Sequence, residues 1–223
     1  MGLLDAVVAA GFIGEPSKKR YSEVLSQKLA QEVAAGLRGI GFPNVKPLQG
    51  GAGEKAFQGG LGPKRVDVSY ADERHGLILA VSIKTITSEP FGKNLKNRFY
   101  DLCLEGITLH LRFPYSVVCA LFCFPNAANE DVTPSRKVST FERARKLLAT
   151  ISGRQEYTDP GEKFENVTMM LFQPVTHDPT VTPLGAPDRH GIQQGDDRGG
   201  ILRHDPANLQ PAESAHRDRR GRP

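Results

Sequence analysis

Residues 66–85 read VDVSYADERHGLILAVSIKT. Two runs rich in β-branched and other apolar residues flank the polar segment ADERHG, a pattern that predicts two antiparallel strands joined by a turn. The second run, 77–83, is almost wholly apolar, as befits a strand covered on both faces. Such a strand commits the chain to layers packed above and below a sheet. The same stretch carries two charges that burial does not explain: Asp67 inside the first run and Lys84 at the end of the second. Side chains alternate along a strand, so Asp67 is expected to point away from Val66 and Val68, and Ser82 and Lys84 to share a face. Pairing across the turn then brings Asp67 near Ser82 and Lys84.

The rest of the chain supplies the layers. After the basic segment SKKR, apolar residues recur at Tyr21, Leu25, Leu29, Val33 and Leu37 with a helical period. Gly36, Gly39, Gly41 and Pro43 end that helix, and a short strand through Val45 is expected to follow. Residues 50–63, GGAGEKAFQGGLGP, read as a loop. It is not a phosphate-binding P-loop, because no GK[ST] stands at the required spacing. Residues 95–110 predict a helix with Leu95, Phe99, Leu102 and Leu109 on one side, closed by Pro114. SVVCALFCF (116–124) predicts a buried strand. Ser139 or Thr140 can cap a helix from Phe141 to about Ile151, stopped by Gly153. VTMMLF (167–172) is the last strand. Helices interleaved with a mixed sheet predict a three-layer α/β domain over 17–175. Residues 1–16 read as an N-terminal extension. Residues 176–223, where seven Arg offset seven Asp and Glu and periodicity vanishes, read as a disordered polar tail.

Composition narrows the setting. Hydrophobic residues make up 39% of the 223 residues, low enough that part of the chain is expected to stand outside a core. A net charge of +4 permits a polyanionic partner without demanding one. Cys103, Cys119 and Cys123 have neither zinc spacing nor a CxxC pair and fit a reducing cytoplasm. GLLDAVVAAGFIG is too short to span a bilayer and lacks a basic leader, so a cytoplasmic protein with no membrane association is expected.

A carboxylate and an ammonium on adjoining strands, beside a glycine-rich stretch, suit phosphodiester chemistry. The acid can hold a divalent cation, and the lysine can orient water or stabilise the developing anion. Over residues 20–172, the element order, the VDV strand, the AVSIKT strand and the polar-faced helix after it resemble the PD-(D/E)XK nuclease superfamily, which includes many type II restriction endonucleases. The run NRFYDLCLEGITLHLRFPYSVV is similar to a subgroup of restriction-endonuclease-like bacterial and phage proteins. The resemblance implies a restriction-endonuclease-like fold with a mixed central sheet flanked by helices. It implies Mg²⁺ or Mn²⁺ at Asp67, Lys84 as a catalytic group, double-stranded DNA as substrate, a homodimer, and a cognate methyltransferase as companion.

The chain departs from the superfamily pattern at two positions. Val66 stands where a proline is expected, a small matter. Ser82 stands where the second acid is expected, and serine supplies no charge to a cation. Two readings stay open. In one, the second carboxylate has moved to the following helix, where Asn97, Asp101 and Glu105 form a polar stripe and Asp101 or Glu105 would complete the metal site. In the other, the site is inactive and the fold binds DNA or serves as a scaffold. Superfamily members often carry a glutamate on the first helix, and Glu32, seven residues beyond Leu25, is expected to face inward toward the site while Glu23 faces away. Lys93, Asn94, Lys96, Asn97 and Arg98 suit phosphate contacts, and equally a solvated helix start. Glu54 and Lys55 read as loop residues, His110 and Arg112 as a helix end, and the histidines of the tail as coil. A rival from another class is an intracellular assembly subunit with no role at DNA.

Overall fold

The computed structural model describes residues 2–11, 19–51 and 54–174, so the polar tail expected over 176–223 lies outside the described residues. Two helices, α1 (Leu3–Gly11) and α2 (Lys19–Gly39), precede four strands: β1 (Lys55–Gly59), β2 (Gly62–Val66), β3 (Val68–Asp72) and β4 (Gly76–Thr85). Helix α3 (Phe91–His110) leads to β5 (Val117–Pro125), a short helix α4 (Ala127–Glu130), α5 (Thr140–Ala149) and β6 (Asn166–Phe172). The architecture is α/β: a mixed four-stranded sheet ordered β3-β4-β5-β6 and a separate two-stranded antiparallel sheet, β1-β2, with helices flanking them. β3 pairs antiparallel with β4, while β4, β5 and β6 run parallel, the first parallel step made through α3 and the second through α4 and α5.

Both faces of the four-stranded sheet are covered. On one face Ala80, Val118, Ala120, Phe122 and Phe124 pack with Leu95, Leu102 and Leu109 of α3 and Ala144 and Leu148 of α5. On the other, Val68, Ile83, Leu121, Cys123 and Phe172 pack with Tyr21, Leu25 and Leu29 of α2 and with Ala6, Val7 and Ala10 of α1. Alternate residues of β5 thus feed opposite cores, which is why SVVCALFCF is apolar without interruption. Burial pushes the Cys119 thiol up to about 12 and raises Cys123 further, so both are packing residues. Ser139 caps α5 by accepting from the Glu142 N–H at 3.1 Å, as its sequence position implies. No helix among the described residues is long and apolar enough to cross a membrane.

Several expectations need correction. The segment read as an N-terminal extension contains α1, whose small apolar side chains are buried against α2. The glycine-rich loop over 50–63 holds β1 and the turn into β2; Gly59 and Gly60 are there because the hairpin presses on α3 and its C-terminal end. A Cβ at Gly59 would lie 2.5 Å from Thr108 Cγ2 and 2.7 Å from its carbonyl oxygen, and Gly60 N–H donates to that oxygen at 2.8 Å. The strand through Val45 shrinks to a single bridge between Lys46 and Ser69. The strand expected over 65–70 is broken at Asp67, so Val66 joins the α3 core and Val68 the α2 core rather than sharing one face. The ADERHG turn is present, with Asp72 accepting from His75 N–H at 2.5 Å and Gly76 at φ +72°, where a side chain would be strained. α3 starts directly after Pro90, four residues earlier than its apolar stripe.

Beyond the far ends of β5 and β6, Arg154 ties the chain together. Its guanidinium donates to Glu165 Oε1 at 2.8 Å and to the carbonyls of Pro114 and Tyr157, while Glu165 Oε2 accepts from Val118 N–H at 2.7 Å. His110 packs beside this pair, its Nδ1 on Gly161 O at 2.9 Å, and burial lowers its pKa. The group spans three connections; His110 ends α3 as expected, but burial disfavours the charge that the helix-dipole reading gave it.

Candidate active site

Asp67 stands where the chain turns out of the two-stranded hairpin and into the main sheet. Its Oδ2 accepts the Ile83 N–H at 2.7 Å, so the carboxylate supplies a backbone partner that the bent strand cannot. The side chain is half-buried, and its pKa is raised to about 6. Burial is the main cause, and the charges of Glu105 and Glu54 add to it; Lys84 and the Ile83 hydrogen bond pull the other way. An acid this close to neutrality, beside other acids, is one that a cation would stabilise in its charged form.

Lys84 projects from β4 toward α3. Ala80 on the same strand packs into the α3 core while Val81 and Ile83 face α2, so alternation turns Ser82 and Lys84 toward α3. The Lys84 ammonium donates to Glu105 Oε2 at 2.8 Å, with 13% of the lysine and 1% of the glutamate side chain exposed. Its chain neighbour Thr85 faces the other way and meets Ser22 and Ser26 of α2 at 3.0 and 3.1 Å. A second ammonium, Lys64 on β2, approaches the same Oε2 at 3.3 Å. Glu105 Oε1 is buried and has no hydrogen-bond partner, and the Ser82 hydroxyl is likewise buried and unpartnered.

The two helix carboxylates offered by the sequence are therefore separated by the structure. Glu105 reaches Lys84; Asp101 is 56% exposed and pairs with Arg98 at 3.6 Å. Each step of four residues turns a helix by about 40°, enough to carry one acid inward and leave the other at the surface. Glu32 is half-buried rather than enclosed, on a helix that packs against the opposite face of the sheet, and among the described residues no hydrogen bond or ion pair joins it to Asp67, Lys84 or Glu105. Glu23 is exposed and paired with Lys19 at 3.5 Å.

Asn94, Asn97 and Arg98 line a groove of about 700 Å³ between the start of α2, the β4–α3 connection and α3, with Lys19, Thr87 and Asp101. Lys93 and Lys96 are exposed on α3, Lys96 lying 5.7 Å from the centre of the Tyr100 ring, and Asn94 donates to Ser88 O at 2.9 Å. Lys64 was not legible beforehand: it falls between the stretch read as loop and the strand expected from 65, and nothing local distinguishes it from Lys55, which lies over Phe57 in the same hairpin. Glu54 bonds Arg65 at 3.2 Å and contributes its charge to Asp67.

Asp67 and Glu105 lie near enough for the charge of Glu105 to raise the pKa of Asp67, and together they offer two carboxylates of hard oxygen donors. Such a set fits Mg²⁺ or Mn²⁺, ions that take one or two carboxylates and keep several waters. No group of three or more His, Cys, Asp or Glu gathers for a metal among the described residues, so water would complete the shell. No protein-family model, no curated protein and no solved structure matches the chain.

Proposed function

We propose that this chain is a metal-dependent nuclease of the PD-(D/E)XK kind, hydrolysing phosphodiester bonds in double-stranded DNA in a restriction-like manner. One observation carries the reading: a buried glutamate delivered by α3 meets Lys84 at 2.8 Å beside Asp67, and its second oxygen is unpartnered. Glu105 takes the role that Ser82 cannot fill. Asp67 and Glu105 would hold Mg²⁺ or Mn²⁺. The cation, when bound, polarises a phosphoryl oxygen and makes water a better nucleophile.

The chain's own groups supply the rest. Lys84 has three N–H donors and spends one on Glu105, which leaves two for the attacking water and a phosphate oxygen. Its positive charge stabilises the anion as the water oxygen bonds to phosphorus and the bond to the 3′ oxygen breaks, leaving 5′-phosphate and 3′-hydroxyl ends. Burial around Glu105 excludes bulk water and strengthens these interactions. Asn94, Asn97 and Arg98 would seat the backbone of the duplex without reading its sequence. A homodimer would place two such centres on opposite strands, and a methyltransferase would protect the host's own sites.

A second reading has its own observation. Glu105 is already faced by two ammonium groups, so the centre is neutral enough to persist without a cation as a scaffold that only binds DNA. Incubating the protein with mixed plasmid DNA and Mg²⁺ or Mn²⁺ separates the two. The nuclease reading expects nicking that disappears in Lys84→Ala and Glu105→Gln. Binding that weakens as salt rises, with no cleavage under either metal, establishes the scaffold instead. No retention on DNA or heparin at low salt overturns both and leaves the assembly-subunit rival.

A further inference from the structure

The second ammonium at Glu105 has no evident structural need. Lys84 alone neutralises that carboxylate at 2.8 Å, yet Lys64 is brought to 3.3 Å from the same oxygen. Its approach is built in by backbone. Gly59 and Gly60 let the β1–β2 turn lie on α3 where any side chain would collide with Thr108 or Leu111, and the Gly60 N–H is bonded to Thr108 O, three residues beyond Glu105. The β1–β2 register then sets Lys64 opposite Phe57, whose ring packs edge-on against Phe113 at 6.3 Å. Lys64 keeps 28% of its side chain exposed, so it can swing away at little cost, whereas Lys84 is nearly enclosed.

We propose that Lys64 is a positioning residue acting as an electrostatic brake on cation entry, holding Glu105 when the centre is empty and opposing a divalent ion at the free oxygen of that carboxylate. The inference rests on the nuclease reading. Two positive charges within a few ångströms at a buried carboxylate repel, the more so for being only partly screened by water. Loading the ion therefore requires Lys64 to turn outward, and an incoming phosphodiester offers its ammonium a new acceptor. Cation and DNA phosphate then favour one another's binding, and by linkage the effect is the same in either direction. An unoccupied enzyme of this design holds its metal weakly and engages it fully on substrate.

The test is Mn²⁺ binding to the full chain, followed by titration calorimetry in the absence of nucleic acid. Lys64→Gln and Lys64→Met remove the charge and are expected to bind Mn²⁺ roughly tenfold more tightly than the wild type. Lys64→Arg keeps the charge and is expected to bind as the wild type does. A merely structural lysine would give the opposite sign, weaker binding in both neutral variants. The proposal is overturned if the wild type binds Mn²⁺ and both neutral variants bind it equally or less well. Absence of Mn²⁺ binding in every form would instead overturn the cation site itself, and this inference with it.

Discussion

Asp67 is held in an environment that disfavours its charge, and this has a measurable cost. Its pKa is raised to about 6, above the value of an unfolded aspartate, because burial and neighbouring acids outweigh Lys84. The folded state therefore binds the extra proton over the window from about 4 to about 6. Stability is fully present below that window, falls as pH rises through it, and stays reduced above it. Asp67→Asn keeps an oxygen for the Ile83 N–H and removes the charge, so it is expected to raise stability by up to about 3 kcal/mol at pH 8 without metal. The gain should vanish at pH 4; thermal melts at the two values check it, and an equal gain at both would refute the assigned cause. Asp67 and Lys84 were legible because a charge inside an apolar strand stands out from its neighbours. The choice between Asp101 and Glu105 was not. Their spacing puts both on one polar stripe, and only the packing of α3 against β4 buries Glu105 and leaves Asp101 at the surface.

At the scale of elements, the β1–β2 hairpin is the piece the sequence concealed. Its strands are five residues each and its turn is crowded with glycine, so the local signal is that of a loop. The glycines serve proximity: the turn must lie against α3 with no side chain between. Gly59→Ala is accordingly expected to lower unfolding stability by about 2 kcal/mol, because Thr108 blocks the new methyl group with both its side chain and its backbone. Urea denaturation measures this, and an unchanged midpoint would show that the hairpin is not seated as described. The other elements were easier to place. β5 declares itself by an unbroken apolar run between prolines, and α5 by a serine at the capping position. The break at Asp67 was hidden, since a valine on either side of the acid looks like simple alternation until the chain is seen to turn between them.

At the scale of the whole molecule, the described residues rest on two cores, one on each face of a mixed sheet. That arrangement was legible from the apolar strands and interleaved helical periods. The membership of α1 was not, because a nine-residue, mostly apolar segment looks alike whether it trails or packs. Val7→Asp places a charge where only 2% of the side chain is exposed and is expected to cost about 3 kcal/mol, read as a lowered melting temperature. An unaltered melt would return the segment to the status of an appendage. The ion-paired centre has a further property. Lys84 and Glu105 are twenty-one positions apart in one strand-to-helix unit, and Lys64 and Asp67 lie three apart at the edge of the preceding hairpin. Four charged groups are thus inherited as two short contiguous blocks. Recombination or drift could rewrite the connections after α3 wholesale, and selection would still need to guard only two seats: the crossing of α3 over β4 and the rest of the hairpin on α3.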